Sequence, residues 1–332
     1  RKCEKFWRII DLSHKHINEL AFFSILSNKC KVLSCQFTTI ISTGSTTTTN
    51  TTTTDDDVDN ISSSQDSENE RSDDAVAVTD NDETYSLELV DLSHMFISHQ
   101  NLNILLKRSC KLKNISLEGL NLSHVNILAL SRCRETLRTF NVAMAENYSI
   151  QHIVEVCNDS ISLEELNLSW SSVCQDKNSL QFLLTNYSSK SLMKLNIAGC
   201  RGLLTDSDVQ VICQSFPNLT ELDISDCTEI SGTTLREICN KLSNLEKLSI
   251  SRCYKIMTTN QPDLTSLAKL KSLQCFGMFR NQTLETLKTI MPGVEINLEP
   301  FSKIARSNLL CNMDSKKYHH LWNVEMLSNV YY

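Results

Sequence analysis

The sequence lacks the features that mark membrane proteins and most enzymes. None of its apolar runs approaches the 18 residues that a transmembrane helix requires, so we predict no contact with a membrane. Its 14 cysteines form no C-x-x-C pair, the spacing that zinc and redox sites use. The G-x-S-x-G, P-loop and H-E-x-x-H motifs are missing, as are the basic runs with interleaved aromatic residues that nucleic-acid-binding proteins use. We therefore predict a non-catalytic binding protein with no metal, no cofactor and no nucleic-acid partner.

The sequence is instead rich in leucines that recur at a nearly constant interval. The strand-like template L-x-x-L-x-L, with other apolar residues allowed, occurs in copies that start 25 to 29 residues apart. The copies start at Leu87, Leu112, Leu137, Leu163, Leu192, Leu219, Leu245 and Leu273. Two weaker copies precede them, Trp7-Ile10-Leu12 and Val32-Cys35-Phe37. A period in the twenties with this signature is typical of a leucine-rich-repeat solenoid, an α/β fold with one continuous core.

Two sets of cysteines recur in phase with this repeat. One set lies three residues after the third apolar position of a copy, and the other lies six residues before the next copy. The first set is Cys200, Cys227 and Cys253, and the second is Cys157, Cys213 and Cys239. We interpret both as small buried core residues, which indicates the cysteine-containing type of repeat and a reducing compartment, the nucleus and cytoplasm. The N-x-S/T sequons overlap predicted strands and are interpreted as accidental.

One segment interrupts the repeats. Residues 41–84 are rich in Thr, Ser and Asp and have almost no large apolar side chains, so we predict a disordered insertion. Residues 55–84 carry a net charge of −11 and the whole chain −7, so the rest of the chain is about +4. The insertion is either a phosphorylatable regulatory loop or, as we favour, a solvated spacer. The predicted organisation is first repeats at 1–40, the insertion at 41–84, further repeats at 85–299 and a C-terminal tail at 300–332.

Alternation along the strands predicts two surfaces. The residue between the last two apolar positions faces the concave side of the sheet, where it is mostly a short Asp, Asn or Ser, leaving room for another polypeptide. At the end of each strand lies a more varied position, which we call the rim column. Its predicted members are His94, Gly119, Met144, Trp170, Gly199, Asp226, Arg252 and Arg280. An aromatic residue with an acid and arginines along one edge has the composition of a binding hot spot, although Trp170 could equally cover a neighbouring loop.

Several stretches carry a resemblance to a known family. LEKLSISRCYKI (245–256), LKSLQCFGM (270–278) followed by GVEIN and FSKIAR, and LKNISLEGLNLS (112–123) resemble the S-phase kinase-associated protein 2 family of F-box/leucine-rich-repeat proteins. These proteins are non-catalytic substrate receptors of SCF-type E3 ubiquitin ligases. The similarity runs from about Trp7 to Trp322, interrupted by the acidic insertion, and the stretch from Ser251 to Trp322 is its most specific part.

The resemblance implies a set of partners. An F-box would bind a Skp-family adaptor and through it a cullin. The C-terminal tail would fold back on the concave face. A site on the rim would dock a Cks-type cyclin-dependent-kinase subunit, which reads a phosphorylated Kip-type inhibitor so that the inhibitor is degraded by the proteasome. The partner-binding residues carried over to this sequence are Trp170, Arg201, Asp226 and Arg252 on the rim and Trp322 in the tail.

One part of the family pattern falls outside the sequence. The chain starts at Arg1, and Trp7 already belongs to the first repeat-like strand, so we expect the F-box to lie upstream. Two alternatives stay open. The first is an F-box/leucine-rich-repeat receptor with different substrates, which would share the fold but have no Cks-docking rim. The second is a repeat-only scaffold that works outside any ligase.

Overall fold

The large sheet of this protein is a stack of short parallel strands, one from each repeat. The computed structural model describes residues 8–41, 84–256 and 264–306. Within these ranges eleven strands form one sheet, and each strand except the first and the last pairs with those of the repeats before and after it. Helices and turns connect the strands on the outer side. The prediction of a leucine-rich-repeat solenoid is thus confirmed.

The repeats share one strand–helix plan. The strands of the large sheet are β1 (Ile9–Asp11), β3 (Val32–Ser34), β5 (Leu89–Asp91), β6 (Asn114–Ser116), β7 (Thr139–Asn141), β8 (Glu165–Asn167), β9 (Lys194–Asn196), β10 (Glu221–Asp223), β11 (Lys247–Ser249), β12 (Ser272–Gln274) and β13 (Glu295–Ile296). β2 (His16–Asn18) and β4 (Thr39–Ile41) pair in a second, two-stranded sheet beside the first repeats. The α-helices are α1 (Glu19–Ser27), α2 (His99–Arg108), α3 (Ile150–Asp159), α4 (Lys177–Asn186), α5 (Asp206–Ser215), α6 (Gly232–Lys241) and α7 (Asn281–Ile290), and Ile127–Cys133 and Ser172–Cys174 are 3-10 helices.

The core consists of columns of equivalent apolar residues. Ile115 lies opposite Phe140, which lies opposite Leu166, and all three are fully buried. Parallel strands about 4.8 Å apart stack equal positions of successive repeats, so each leucine of the template packs on its counterparts above and below. The apolar template therefore builds one core along the whole stack.

Each strand is short because its last residue turns the chain. In most repeats this residue is Asp or Asn, and its side-chain oxygen accepts a hydrogen bond from the backbone N–H two residues later. Asn167 Oδ1 accepts from Ser169 N at 3.1 Å, and Asp223 Oδ1 accepts from Ser225 N at 3.0 Å. This Asx turn satisfies the backbone at the strand end and redirects the chain toward the helix. The short Asp and Asn side chains that were predicted to line the concave face therefore also end the strands.

The predicted register of the last copy is wrong. Leu273 lies opposite Leu248, the second leucine of its copy, and not opposite the first. The copy is therefore Leu270, Leu273 and Cys275, all buried, and not the triplet at 273, 276 and 278. Both triplets satisfy the spacing of the template, and only the pairing of β11 with β12 decides between them.

The second copy is displaced in the same way. Leu33 pairs with Ile10 and with Val90, so the buried triplet is Cys30, Leu33 and Cys35. The predicted triplet at 32, 35 and 37 is wrong, and Phe37 is 41% exposed rather than in the core. Cysteine occupies two of the three inward positions here, and a template written for leucine passes over it.

The prediction that the cysteines in phase with the repeat are buried is correct for most of them but not for all. Cys200, Cys213, Cys227 and Cys253 are buried free thiols. Cys239, in contrast, is only half-buried, because the buried face of α6 is centred on other residues of the helix. It packs against the core from the margin of that face.

The predicted disordered insertion falls on residues that are almost all outside the described ranges. Ile41 ends β4, and the described chain resumes at Thr84. Among the helices of the described ranges, none is long and apolar enough to cross a membrane.

Candidate functional site

The rim column has an unusual backbone conformation in every repeat. Its observed members are His14, Phe37, His94, Gly119, Met144, Trp170, Gly199, Asp226, Arg252 and Gly277, and their φ angles lie between 53° and 89°. Non-glycine residues adopt this left-handed region at a cost, which the Asx turn and the strand pairing before it offset. Gly277 takes the place predicted for Arg280, which is instead the N-cap of α7, because the register of the last copy is shifted.

At His94, Trp170 and Arg252 the side chain begins over the glycine of the next repeat. The indole of Trp170 lies across Gly199, where an added Cβ would come within 2.5 Å of Trp170 Cδ2. A side chain at residue 199 would displace the ring, so the position requires glycine for space as well as for its φ of 89°. Trp170 is 38% exposed, so part of its ring stays open to solvent.

Arg201 covers another part of the same ring. Its guanidinium carbon lies 5.2 Å from the centroid of the Trp170 ring. A guanidinium over an indole face is a cation–π contact worth about 0.5–1 kcal/mol at an exposed site. The contact favours this position of both side chains and leaves the guanidinium edge available for an acceptor.

Asp226 and Arg252 form the neighbouring pair along the rim. Arg252 Nε donates to Asp226 Oδ1 at 2.5 Å, and Arg252 Nη2 donates to Asp226 Oδ2. Two parallel bonds of this kind hold the guanidinium in one plane. Asp226 raises the pKa of Arg252, chiefly through these hydrogen bonds. Arg252 Cγ lies 3.2 Å from where a Cβ of Gly277 would be, so Arg252 also lies over a glycine of the next repeat.

The structure therefore brings four of the five predicted site residues together. Trp170 and Arg201 form one pair, Asp226 and Arg252 form the other, and both lie on the same rim in repeats that follow one another. With strands about 4.8 Å apart, the patch from β8 to β11 is about 15 Å long. The fifth residue, Trp322, lies outside the described ranges.

The concave face next to this rim is occupied by the start of the tail. Asn167 Nδ2 donates to the carbonyl oxygen of Ile304 at 3.1 Å, and Ala305 N donates to Glu165 Oε2 at 2.8 Å. Ile304 and Ala305 are buried. Residues 299–306 of the same chain therefore lie in the space that the short side chains leave on the concave face.

An ion pair between Arg306 and Glu118 holds the C-terminal end of this segment on the concave face. Arg306 Nε and Nη2 donate to the two carboxylate oxygens of Glu118 at 2.8 and 2.7 Å. Asn141 Nδ2 donates to the same carboxylate at 2.9 Å. Burial raises the pKa of Glu118, but the charge and hydrogen bonds of Arg306 and the bond from Asn141 outweigh it, so the pKa lies below its ordinary value.

A row of alternating charges borders the segment on the concave face. Lys194 Nζ lies 3.0 Å from Glu165 and 3.2 Å from Glu221, and Lys247 Nζ lies 3.5 Å from Glu221. These charges satisfy one another, and among the described residues the concave face offers little unpaired charge near the tail. The exposed candidate site is therefore the rim.

Sequence reasoning missed the role of the rim glycines. Gly119 lies under His94 just as Gly199 lies under Trp170. The signal is visible in the sequence, because each glycine of the column follows a bulky residue at the same position of the preceding repeat. A second missed feature is the stack in which Phe37 lies between His14 and His94, with ring centroids 5.2 and 5.0 Å apart.

Comparison with known proteins gives a matching family and two similar structures. The family described as "SKP2 LRR domain" matches residues 73–328. An internalin (inlF) from Listeria monocytogenes is similar in structure at 15% sequence identity, covers 65% of this chain and 68% of its own, and gives a TM-score of 0.40. The leucine-rich repeat-containing protein LegL7 from Legionella pneumophila is similar at 15% identity, with 64% and 73% of the two chains covered and a TM-score of 0.42.

Proposed function

Because the chain belongs to the family of SKP2 leucine-rich-repeat domains, we propose that it is the substrate-recognition part of an SCF-type E3 ubiquitin ligase. In this proposal it performs no covalent chemistry. It holds a phosphorylated Kip-type inhibitor together with a Cks-type accessory protein, so that the inhibitor is ubiquitinated and degraded. A Skp-family adaptor and a cullin, reached through an F-box, and a location in nucleus and cytoplasm belong to the same proposal.

The rim patch and the contacts among its side chains are the observation that carries this proposal. Trp170 offers exposed aromatic area that Gly199 and Arg201 hold in place, so binding a partner costs little side-chain entropy. Arg252 is oriented by Asp226 and half-exposed, with donors left for an anionic group. Tryptophan and arginine are the residues most enriched in the energetic centres of protein interfaces.

The proposed mechanism divides the work along the rim. The indole of Trp170 would pack on an apolar surface of the Cks-type protein. The guanidinium groups of Arg201 and Arg252 would bind carboxylate or phosphate oxygens, since a guanidinium can give two parallel hydrogen bonds to such a group. The receptor would act by holding two partners next to each other and would leave the chemistry to the rest of the ligase.

A direct binding measurement tests the proposal. Purified Cks-type protein is titrated against the full chain and against Trp170→Ala and Arg252→Ala. We expect each substitution to weaken binding at least tenfold, about 1.4 kcal/mol, with little change in melting temperature because neither side chain is in the core. His94→Ala, in the same column but three repeats away, should change the affinity less than twofold.

Two further results bear on the proposal. Unchanged affinity in well-folded Trp170→Ala and Arg252→Ala proteins would make this a receptor for other partners. The chain alone should form no thioester with ubiquitin, because core cysteines such as Cys213 and Cys253 are buried and burial raises the pKa of each to about 12.

A further inference from the structure

The edge of the sheet opposite the rim carries a concentration of positive charge. At this edge, which we call the amino edge, each helix ends and the next strand begins. Two neighbouring turns there, residues 107–113 and 132–138, contribute most of the cations. We define the basic edge by Lys107, Lys111, Lys113, Arg132, Arg134 and Arg138.

Tertiary contacts hold the two turns side by side. Arg138 N donates to Lys113 O at 2.7 Å, and Arg132 Nη1 donates to Lys107 O at 2.7 Å. The second bond places one guanidinium directly on the turn that carries the lysines. Five of the six residues are exposed and Lys107 is half-buried, so their charges face solvent.

Half of this charge is not neutralised by nearby acids. Lys113 pairs with Glu88 at 2.8 Å, and Arg138 pairs with Glu164. Within the described ranges, Lys107, Lys111 and Arg132 have no salt bridge. Glu135 is the one acidic residue of the two turns, and it lies 3.9 Å from Arg134.

An open groove continues from the basic edge along the same side of the sheet. It has a volume of about 520 Å³, and Arg138 and Glu164 form the wall nearest the basic edge. Met193, 37% exposed, gives it an apolar floor, and Lys190 lies beside it. The groove is open to solvent, which differs from the enclosed cavities that bind small molecules.

We propose that this edge docks an extended acidic segment of a partner protein. Carboxylates of the segment lie against Lys107, Lys111 and Arg132, and one apolar side chain enters the groove above Met193. The charge is complementary, and two of the three cations are flexible point charges suited to carboxylates in varied positions. The distance fits as well. From β6 to β9 there are three strand spacings, about 14 Å, which about four extended residues span.

A nucleic acid fits this surface less well than a polypeptide. Neither the basic edge nor the groove lining includes an aromatic side chain on which a base could stack. The surface also lies at the opposite ends of the strands from Trp170, so it is independent of the proposed Cks-type site.

Fluorescence anisotropy with a designed peptide tests the proposal. The probe is a labelled twelve-residue peptide with six acidic residues and, four positions after the last of them, a leucine. It is titrated against the full chain at 150 mM salt, where long-range charge effects are screened. A triple variant, Lys107→Glu, Lys111→Glu and Arg132→Glu, should weaken binding at least tenfold. A matched triple with the same net charge change, Lys15→Glu, Lys241→Glu and Lys288→Glu, should weaken it less than threefold.

A substitution of Met193 tests the groove separately from the basic edge. Met193→Ser should reduce the affinity for the leucine peptide to that for a peptide with glycine in its place, and should leave the glycine peptide unaffected. Equal loss in the two triple variants would show that binding follows net charge, which overturns the proposal. Tighter binding of a duplex DNA of equal charge, lost in the first triple variant, would overturn it in favour of a nucleic acid. Equal affinity for the two peptides would overturn the assigned groove.

Discussion

The indole ring of Trp170 lies across the backbone of Gly199, the equivalent residue of the next repeat. The same relationship joins Arg252 with Gly277. A bulky side chain in a left-handed turn thus rests on a glycine in the neighbouring left-handed turn. The position of the aromatic group at the candidate site is therefore set by a residue that has no side chain.

Gly199→Ala should displace the ring of Trp170. The new methyl group would meet Trp170 Cδ2 at 2.5 Å, and a φ of 89° is unfavourable for alanine. We expect lower stability by about 1–3 kcal/mol and changed tryptophan emission. The emission is measured in a background with Trp7→Phe and Trp322→Phe, so that Trp170 alone is observed.

Gly202→Ala is the matched control for this substitution. A Cβ at residue 202 has no atom within 4 Å and the residue has no left-handed φ, so emission and stability should stay close to those of the parent. Equal effects of the two alanine substitutions would contradict the role given to Gly199.

Glu118→Gln should weaken the attachment of the tail in a pH-dependent way. The pKa of Glu118 is lowered in the folded protein, so its contribution is present above the unfolded pKa of about 4.3 and is lost as the pH falls through the lower folded value. At pH 7 we expect a loss of about 1–3 kcal/mol, since the carboxylate binds Arg306 twice.

Thermal unfolding of the parent and of Glu118→Gln between pH 3 and pH 7 measures this difference in stability. The difference between the two melting temperatures should be constant well above about pH 4.3 and should shrink as the pH falls below that value. Glu285→Gln, which removes an exposed pair with Lys288, should show no such dependence on pH. A constant difference across the range would mean that the charge of Glu118 does not hold the tail.

Asp223→Asn should stabilise the protein at neutral pH. Burial raises the pKa of Asp223, against the opposing hydrogen bonds from Ser225, so its ionised form is disfavoured in the fold. Asparagine can still accept from Ser225 N and is the residue at the same place in the preceding repeats, Asn167 and Asn196. We expect a rise in melting temperature of about 2 °C or more at pH 7.

The size of this effect should depend on pH. A raised folded pKa means that the penalty of Asp223 grows as the pH rises above the unfolded value of about 3.9, so the gain should vanish near pH 3. The reverse substitution, Asn196→Asp, should lower the melting temperature at pH 7. Stabilisation by both substitutions would be incompatible with a burial effect.

Thiol labelling should separate the cysteines by position. In a background with Cys3→Ser and Cys311→Ser, Cys110 and Cys239 should react first with a maleimide, because they are half-buried. Burial raises the pKa of Cys213 and of Cys253 to about 12, so their reactive thiolate is scarce as well as covered. Mass spectrometry of the labelled protein identifies the sites. Early labelling of Cys213 or Cys253 in native protein would show that the repeat core opens.

Much of the site could be predicted from the sequence, because a repeat turns spacing into location. Equal positions in successive copies must stack, so the column that contains Trp170, Asp226 and Arg252 follows from counting residues. The pairing within that column could not be predicted in the same way. Which side chain rests on its neighbour depends on the left-handed turn, and the contact of Arg201 with Trp170 depends on a loop conformation.

The sequence by itself determined the period, the inward direction of the leucines and the existence of a solenoid, since an alternating strand pattern fixes which side chains are buried. Tertiary structure decided the register of the copies at Leu33 and Leu273, because a triplet with spacing three and two can be read in more than one frame until the neighbouring strand forms its hydrogen bonds. It also decided that Arg306 binds Glu118. This contact joins residues that are far apart in the chain, and a local pattern carries no information about which distant residue will supply the partner.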